Sequence, residues 1–148
     1  MASIEEIKKL REETDLPISD CRKALEEARG DIAKAKSILE KLGREFVKKR
    51  EEREAKAGIV DAYIHGGRKI GAIIQLHCES DFVARSEEFK KLAHELCLQI
   101  AAVSPEETPL LEQPWIKDQD KTVKDLISDY SAKFGEKIVL EKYARYQL

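Results

Sequence analysis

The chain has 148 residues, with 27 Lys plus Arg against 29 Asp plus Glu and a formal net charge of −2. That length suits one ordinary domain, or a small one with an appended module. Charged residues make up 38%, above the roughly 25% of ordinary globular chains, but their signs balance, which predicts solvated helical faces and argues against a nucleic-acid-binding surface; the 42% of hydrophobic residues recurs periodically, which argues against disorder.

Residues 1–43 read as three short helices. Ser3 followed by Glu6 is a capping box, after which Ile4, Ile7 and Leu10 recur at helical spacing and predict one apolar face. Thr14-Asp15-Leu16-Pro17 interrupts the pattern, and Pro17 fits the first turn of a second helix. Ile18, Cys21, Ala24, Leu25 and Ala28 are its expected inner stripe. Gly30 supplies the stop and Asp31 the next cap. Ile32, Ala35, Ile38, Leu39 and Leu42 line the third helix, which is expected to end at Gly43. So small a bundle suits a protein-interaction module. Residues 44–57 follow as a charged helical linker of mixed sign. Its basic run Lys48-Lys49-Arg50 reads as a solvated face beside acids, with RNA contact as the competing reading.

From Gly58 the texture changes, and residues 58–148 read as an α+β core. Ile59–Ile64 and Ile70–Cys78 are β-rich runs around Gly66-Gly67-Arg68, a hairpin. Ser86 caps a long helix whose buried face is Phe89, Leu92, Ala93, Leu96 and Ile100, ended by Ser104-Pro105. A Pro-punctuated loop leads to Trp115 and Ile116. Thr122–Phe134 is helical again through Val123, Leu126, Ile127 and Tyr130, and Gly135 stops it. Ile138 to Tyr146 is a terminal β-rich run. The simplest assembly is a three-stranded antiparallel sheet covered on one face by helices. So small a sheet leaves apolar surface open, with Val139, Tyr143 and Tyr146 the expected residues, and predicts a non-covalent dimer.

Chemistry is hard to find. Gly66-Gly67-Arg68 has no phosphate-loop frame, His65, His77 and His94 lack metal-ligand spacing with the cysteines, and no nucleophile elbow occurs. No cofactor and no catalysis are expected. No run approaches the roughly 20 apolar residues of a membrane span, and the N-terminus lacks a signal-peptide segment. Cys21, Cys78 and Cys97 are odd in number and without CxxC spacing, which fits a reducing compartment and predicts the cytoplasm. One tetrapeptide stands out: Ser80-Asp81-Phe82-Val83, a loop between the second strand and the Ser86 cap. Such a loop either tucks Phe and Val under the sheet or shows them to a partner; composition alone favours tucking.

Several segments, in order, resemble bacterial elongation factor Ts. Asp20-Cys21-Arg22-Lys23-Ala24-Leu25-Glu26-Glu27-Ala28 with Gly30-Asp31-Ile32 is similar to that family's N-terminal motif, carried by a module of the ubiquitin-associated type. Cys78-Glu79-Ser80-Asp81-Phe82-Val83-Ala84-Arg85 resembles its signature loop, with Ser80 where Thr is usual. Gln99-Ile100-Ala101-Ala102, Leu111-Glu112-Gln113-Pro114-Trp115-Ile116-Lys117-Asp118 and Gly135-Glu136-Lys137-Ile138 match three further segments. The resemblance implies an exchange factor for elongation factor Tu that promotes GDP release without chemistry of its own. It implies that Ser80, Asp81, Phe82 and Val83 form a partner-binding loop, with Asp81 and Phe82 entering the guanine-nucleotide domain and disturbing magnesium. It implies that Arg11, Ile18 and Ser19 touch the same domain, and that two copies of a short chain pair to replace the two subdomains of a longer one. No membrane and no direct nucleic-acid partner are expected. The chain departs from the family at Asp15-Leu16-Pro17, where a glycine-containing turn is usual, and between Pro109 and Leu110, where longer members carry a second core subdomain or a coiled coil. It departs again at Lys137, where Asn is usual, and at Glu141-Lys142, where a basic pair is common.

Overall fold

A computed structural model describes residues 2–148, without the side chains of Phe46, Val47 and Arg50, so the Arg50 end of the basic run lies outside the described residues. The chain divides into two compact units, one ending at Glu52 and the other spanning Arg53–Leu148. In the first, three helices follow closely: α1 (Ile4–Thr14), α2 (Ile18–Glu27) and α3 (Ile32–Glu51). The reciprocal cap forms at the start of α1, where Ser3 Oγ accepts from Glu6 N at 3.2 Å and the Glu6 carboxylate accepts from Ser3 N at 3.0 Å. Asp15 takes the left-handed conformation that closes α1, with φ 56°. Asp is among the few non-glycine residues that adopt it readily, so the joint turns without a glycine. Helix α2 closes through two left-handed residues, Arg29 at φ 53° and then Gly30 at φ 83°, whose N–H groups donate to the Glu26 and Leu25 carbonyls at 3.1 and 2.9 Å. Asp31 Oδ1 caps α3 by accepting from Lys34 N at 3.1 Å.

The core of this unit is Leu10, Cys21, Ala24, Leu25, Ala28, Ala35 and Leu39. Three expectations need correction. Ile4 and Ile18 are not core residues; they are 72% and 51% exposed. Each opens its helix, and a helical side chain leans toward the N-terminus, beyond the turn the neighbouring helices cover. The third helix also does not stop at Gly43 but continues to Glu51. A glycine inside a helix costs about 1 kcal/mol relative to Ala, a cost that the well-anchored turns before it and the helix-forming Glu, Lys and Arg after it readily absorb.

The second unit is a half-core built on one sheet. Strands β1 (Ala57–Ile64), β2 (Ile70–Cys78) and β5 (Val139–Gln147) pair antiparallel in the order β1-β2-β5. Between β2 and β5 lie α4 (Asp81–Ala84), α5 (Glu87–Ala102), a 3-10 turn (Leu110–Glu112), the short ribbon β3 (Pro114–Trp115) with β4 (Asp118–Thr122), and α6 (Val123–Phe134). In the hairpin turn the left-handed residue is Arg68, at φ 59°, rather than either glycine. Helix α5 begins at a Ser86 cap, Oγ to Phe89 N at 3.2 Å. It lays Phe89, Leu92, Ala93, Leu96, Cys97 and Ile100 against Ala72, Ile74, Leu76 and Cys78 of β2, in one cluster with Val123 and Leu126 of α6. Burial pushes the Cys97 thiol up to about 12, with Asp61 adding to it, so it stays a neutral core group.

The segment expected as a plain loop is ordered by two buried amides. Gln99 donates to Gln113 Oε1 at 3.0 Å and to the Pro114 carbonyl at 3.1 Å, and accepts from Ile116 N at 2.9 Å. Gln113 donates in turn to the Thr108 carbonyl at 2.9 Å. Both amides are therefore matched on donor and acceptor sides, as a low-dielectric interior demands, although the Trp115 indole N–H beside them has no partner among the described residues, and the chain from Thr108 to Ile116 is drawn against α5. Arg145 of β5 donates to the carbonyls of Ile100 and Ala101 at 2.8 and 3.1 Å, closing the C-terminal end of α5.

Register assigns the sheet's two faces. Ile59 with Leu76 and Leu140, and Asp61 with Ile74 and Tyr143, lie on the helix-covered side. Ala62 with Ile73 and Ala144, and Ile64 with Gly71 and Tyr146, lie on the other. A bulge between Gln75 and Leu76 lets β5 pass Glu141 without a partner. On the second side Val60, Ile64, Ile73 and Tyr146 are 67, 57, 44 and 76% exposed. Tyr143 is left open as well, at 45% exposure, but from the β5 edge on the helix-covered side and not beside Tyr146.

Leu25 is completely buried in a unit that buries little surface overall. Leu25→Ala is expected to cost roughly 2–5 kcal/mol and to melt the three-helix unit alone, seen by circular dichroism as a loss of helix with the half-core transition retained. An unchanged spectrum would remove Leu25 from the centre of that unit.

Candidate functional site

The tetrapeptide singled out from the sequence is not an irregular loop. Asp81–Ala84 is one turn of helix, α4, with Ser80 as its N-cap and Ser80 Oγ accepting from Val83 N at 3.3 Å. A single turn does not hold itself in water, so its neighbours must. At its far end Ser86 donates from Oγ to the Val83 carbonyl at 2.7 Å, tying α4 to the start of α5. Below it, Val83 and Ala84 are buried in the half-core, at 6 and 3% exposure.

At its near end stand two glutamates. The Glu136 carboxylate accepts from Glu79 N at 3.1 Å, Ser80 N at 2.9 Å and Ser80 Oγ at 2.7 Å. In return, the Glu79 carboxylate accepts from Lys137 N at 2.7 Å and lies 3.6 Å from the Arg53 guanidinium. Residues 79–80 and 136–137 thus clasp each other through side chain and backbone in both directions. Hydrogen bonds to an ionised acceptor are the stronger kind. Gly135, left-handed at φ 67°, ends α6 and turns the chain toward α4, and Ser131 holds the Glu136 carbonyl through an Oγ bond of 2.6 Å. Beside the clasp, burial and the Glu136 carboxylate push the Cys78 thiol up to about 11, and its Sγ donates to the Ser80 carbonyl. It is no nucleophile at neutral pH.

What this scaffold presents is Phe82. Its ring is 86% exposed, beside an exposed Asp81. Leaving a Phe side chain in water rather than buried forfeits about 1.5–3 kcal/mol, so the turn is held in an orientation that hydrophobic burial alone would not choose. The choice between tucking and display therefore divides within the tetrapeptide: Val83 is tucked, Phe82 and Asp81 are displayed, and Ser80 is half-buried in the clasp.

The other sequence-selected residues lie in the first unit. Arg11, in the last turn of α1, and Ile18 and Ser19, in the first turn of α2, are all exposed on either side of the Asp15–Pro17 joint. Sequence reasoning missed Glu79 and Glu136 as the holders of α4. The glycine stop before Glu136 was visible, but no periodic pattern relates residue 136 to residue 80. Among the described residues no group of three or more His, Cys, Asp and Glu side chains is placed to hold a metal ion, and no helix is long and apolar enough to cross a membrane.

The family described as Elongation factor TS matches the chain over residues 2–106 and again over residues 79–148. Both stretches include residues 79–106, so the segment carrying α4 and α5 is matched twice. Among curated relatives, elongation factor Ts of Moorella thermoacetica is 38% identical over 194 aligned positions, covering 100% of this chain and 96% of the relative. The protein of that name from Caldanaerobacter subterraneus subsp. tengcongensis is 37% identical, covering 99% of this chain and 96% of its own. That from Methylacidiphilum infernorum is 38% identical, covering 99 and 94%. An alignment of 194 positions against a chain of 148 residues means that the Moorella thermoacetica relative carries a segment this chain lacks.

Adjacent positions on α4 should respond oppositely to truncation. Phe82→Ala is expected to leave the melting temperature nearly unmoved, because the ring buries little. Val83→Ala should cost about 2 kcal/mol, the transfer free energy of its lost methyl groups plus the cavity they leave. Thermal or urea melts of the two variants compare them directly, and a large loss in Phe82→Ala would return the ring to the core.

Proposed function

The chain belongs to the elongation factor Ts family, which makes it a translation elongation factor, and from that premise we propose that it binds elongation factor Tu and accelerates release of GDP. The observation that carries the reading is Phe82, an apolar ring held out in water at 86% exposure on a turn whose next residue is buried. A ring so displayed, with Asp81 beside it, is suited to enter a partner.

The mechanism needs no bond making. A protein that binds the nucleotide-free partner more tightly than the nucleotide-bound one weakens nucleotide affinity by the same factor. Magnesium on the GDP phosphates is the largest positive charge in such a site, so a ring and a carboxylate that shift its ligands remove much of what holds the phosphates. Asp81 supplies charge and Phe82 volume; Val83 anchors the turn from below, and Ser80 fixes its start. Arg11, Ile18 and Ser19 serve as a second contact, on the module assigned to residues 1–43, which residues 44–57 connect to the core of 58–148. The exposed Ile18 supports that role better than a place in the core. The setting is the cytoplasm, where translation proceeds.

The same reading includes a homodimer. The sheet face carrying Val60, Ile64, Ile73 and Tyr146 has no layer over it within the half-core, and a second copy laid sheet to sheet covers it at the usual spacing of about 10 Å. The double match of residues 79–106 supports this, since one half-core then stands where longer relatives have two.

Release of a fluorescent GDP from elongation factor Tu, followed with and without this chain, tests the exchange reading. Phe82→Ala should slow the release markedly, and Asp81→Asn less so, because it keeps the side chain's shape and loses only charge. Equal rates with and without the chain would end the proposal. For the dimer, sedimentation equilibrium at micromolar concentration should give twice the chain mass, and Ile73→Lys, a charge at the centre of the open face, should return it to monomer. A parent protein that is monomeric throughout would leave the sheet face to some other cover.

A further inference from the structure

We infer that Glu136 is a positioning residue for nucleotide exchange: it sets the orientation of α4 and so the direction in which Phe82 points. The inference rests on the reading of Asp81 and Phe82 given above, and it concerns a residue whose carboxylate is taken up within the chain. Successive residues on a helix lie about 100° apart around its axis, so a roll of α4 by about one residue's turn would draw Phe82 toward the core and turn Val83 out. Hydrophobic burial favours the ring going in. Val83 and Ala84 do not by themselves decide the roll, because one apolar group can replace another beneath a four-residue turn. What opposes it is directional. Three hydrogen bonds from Glu79 N, Ser80 N and Ser80 Oγ converge on the two oxygens of one carboxylate at 2.9 to 3.1 Å for the amides and 2.7 Å for the hydroxyl. Ser80 Oγ then passes the constraint into the turn by accepting from Val83 N. Glu136 is itself fixed, by the Ser131 bond to its carbonyl and by Lys137 N on the Glu79 carboxylate.

The chemistry of the substitution separates positioning from mere support. In Glu136→Gln the amide oxygen still accepts from Glu79 N and Ser80 N, while the Nε2 group cannot accept the Ser80 hydroxyl but can donate to its oxygen; the clasp keeps its two amide bonds and loses the carboxylate's charge. In Glu136→Ala all three are lost, and α4 is free to roll. Groups held even about 1 Å out of place can lose much of their effect, so Glu136→Ala should lower the saturating rate of GDP release roughly tenfold. The chain concentration that gives half-maximal rate should move less than about threefold, since Arg11, Ile18 and Ser19 are untouched.

The experiment measures fluorescent GDP release from elongation factor Tu as a function of chain concentration for the parent, Glu136→Ala, Glu136→Gln, Phe82→Ala and Leu126→Ala. The last is a buried residue of α6 and controls for loss of stability, and all five are compared at a temperature where circular dichroism shows them folded. The inference expects Glu136→Ala to behave like Phe82→Ala, Glu136→Gln to recover to within about threefold of the parent, and Leu126→Ala to exchange normally. It also expects amide hydrogen exchange at Ser80 and Val83 to quicken in Glu136→Ala while Leu92 in α5 stays protected. A slow Phe82→Ala with a normal Glu136→Ala overturns the positioning role and leaves the exchange reading intact. A Leu126→Ala as slow as Glu136→Ala reduces the effect to stability and also overturns it. A Phe82→Ala as fast as the parent overturns the reading of α4 and the role of Glu136 with it.

Discussion

The half-core hangs on the packing of α5 across β2. Phe89, Leu92, Ala93, Leu96, Cys97 and Ile100 are all wholly buried, and they meet the alternate residues of the central strand, Ala72, Ile74, Leu76 and Cys78. With only three strands, the sheet has no stability of its own to spare, so this one helix supplies the apolar layer that makes it a sheet at all. The rest of the unit is arranged around its two ends and its flank. At the N-terminal end α4 is fastened by Ser86; at the C-terminal end Arg145 takes the free carbonyls. On the flank Gln99 gathers the chain from Thr108 to Ile116.

The division of labour between apolar and polar contacts is plain. Burial gives the half-core most of its free energy but little direction, because Leu or Ile can slide against one another at small cost. Direction comes from a few fully matched polar groups. Gln99 and Gln113 are buried amides with donor and acceptor both satisfied, and a buried amide left unmatched costs enough to forbid other arrangements of that segment. The two glutamates do the same at α4. Each places a carboxylate where backbone N–H groups of a far segment answer it, joined by the Ser80 hydroxyl at Glu136 and by the Arg53 guanidinium at Glu79.

How far the sequence disclosed this follows the same line. The buried stripe of α5, the caps at Ser3, Asp31 and Ser86, and the stop at Gly135 were all legible, because each is written within four or five residues of itself. Ile4 and Ile18 were misread because helical spacing marks a face and not how far along it the neighbours reach. Gly43 was misread because a glycine after an apolar stripe signals a stop only where the backbone turns left-handed, and here it does not. Tyr143 and Tyr146 are both open, as the terminal run suggested, but the bulge opposite Glu141 and the final register decide which side of the sheet each takes. The split between Phe82 and Val83 was beyond local reading, since it depends on Glu136, which the chain brings to Ser80 only through its tertiary course. The family resemblance, by contrast, was legible in full, because its motifs are short and contiguous.

The strand order has a consequence for the path by which the chain folds. The β1–β2 hairpin closes over a short turn, whereas β5 must find β2 across the whole of α4, α5, the ribbon and α6. Closing so long a loop costs more entropy before any contact returns it, so the hairpin with α5 forms the early nucleus and β5 zips on late. Glu136 stands just ahead of β5 and travels with it. Until that last strand docks, α4 lacks its restraint and its aromatic ring is free to collapse inward. On this order of assembly the ring gains its fixed outward setting only with the step that completes the sheet.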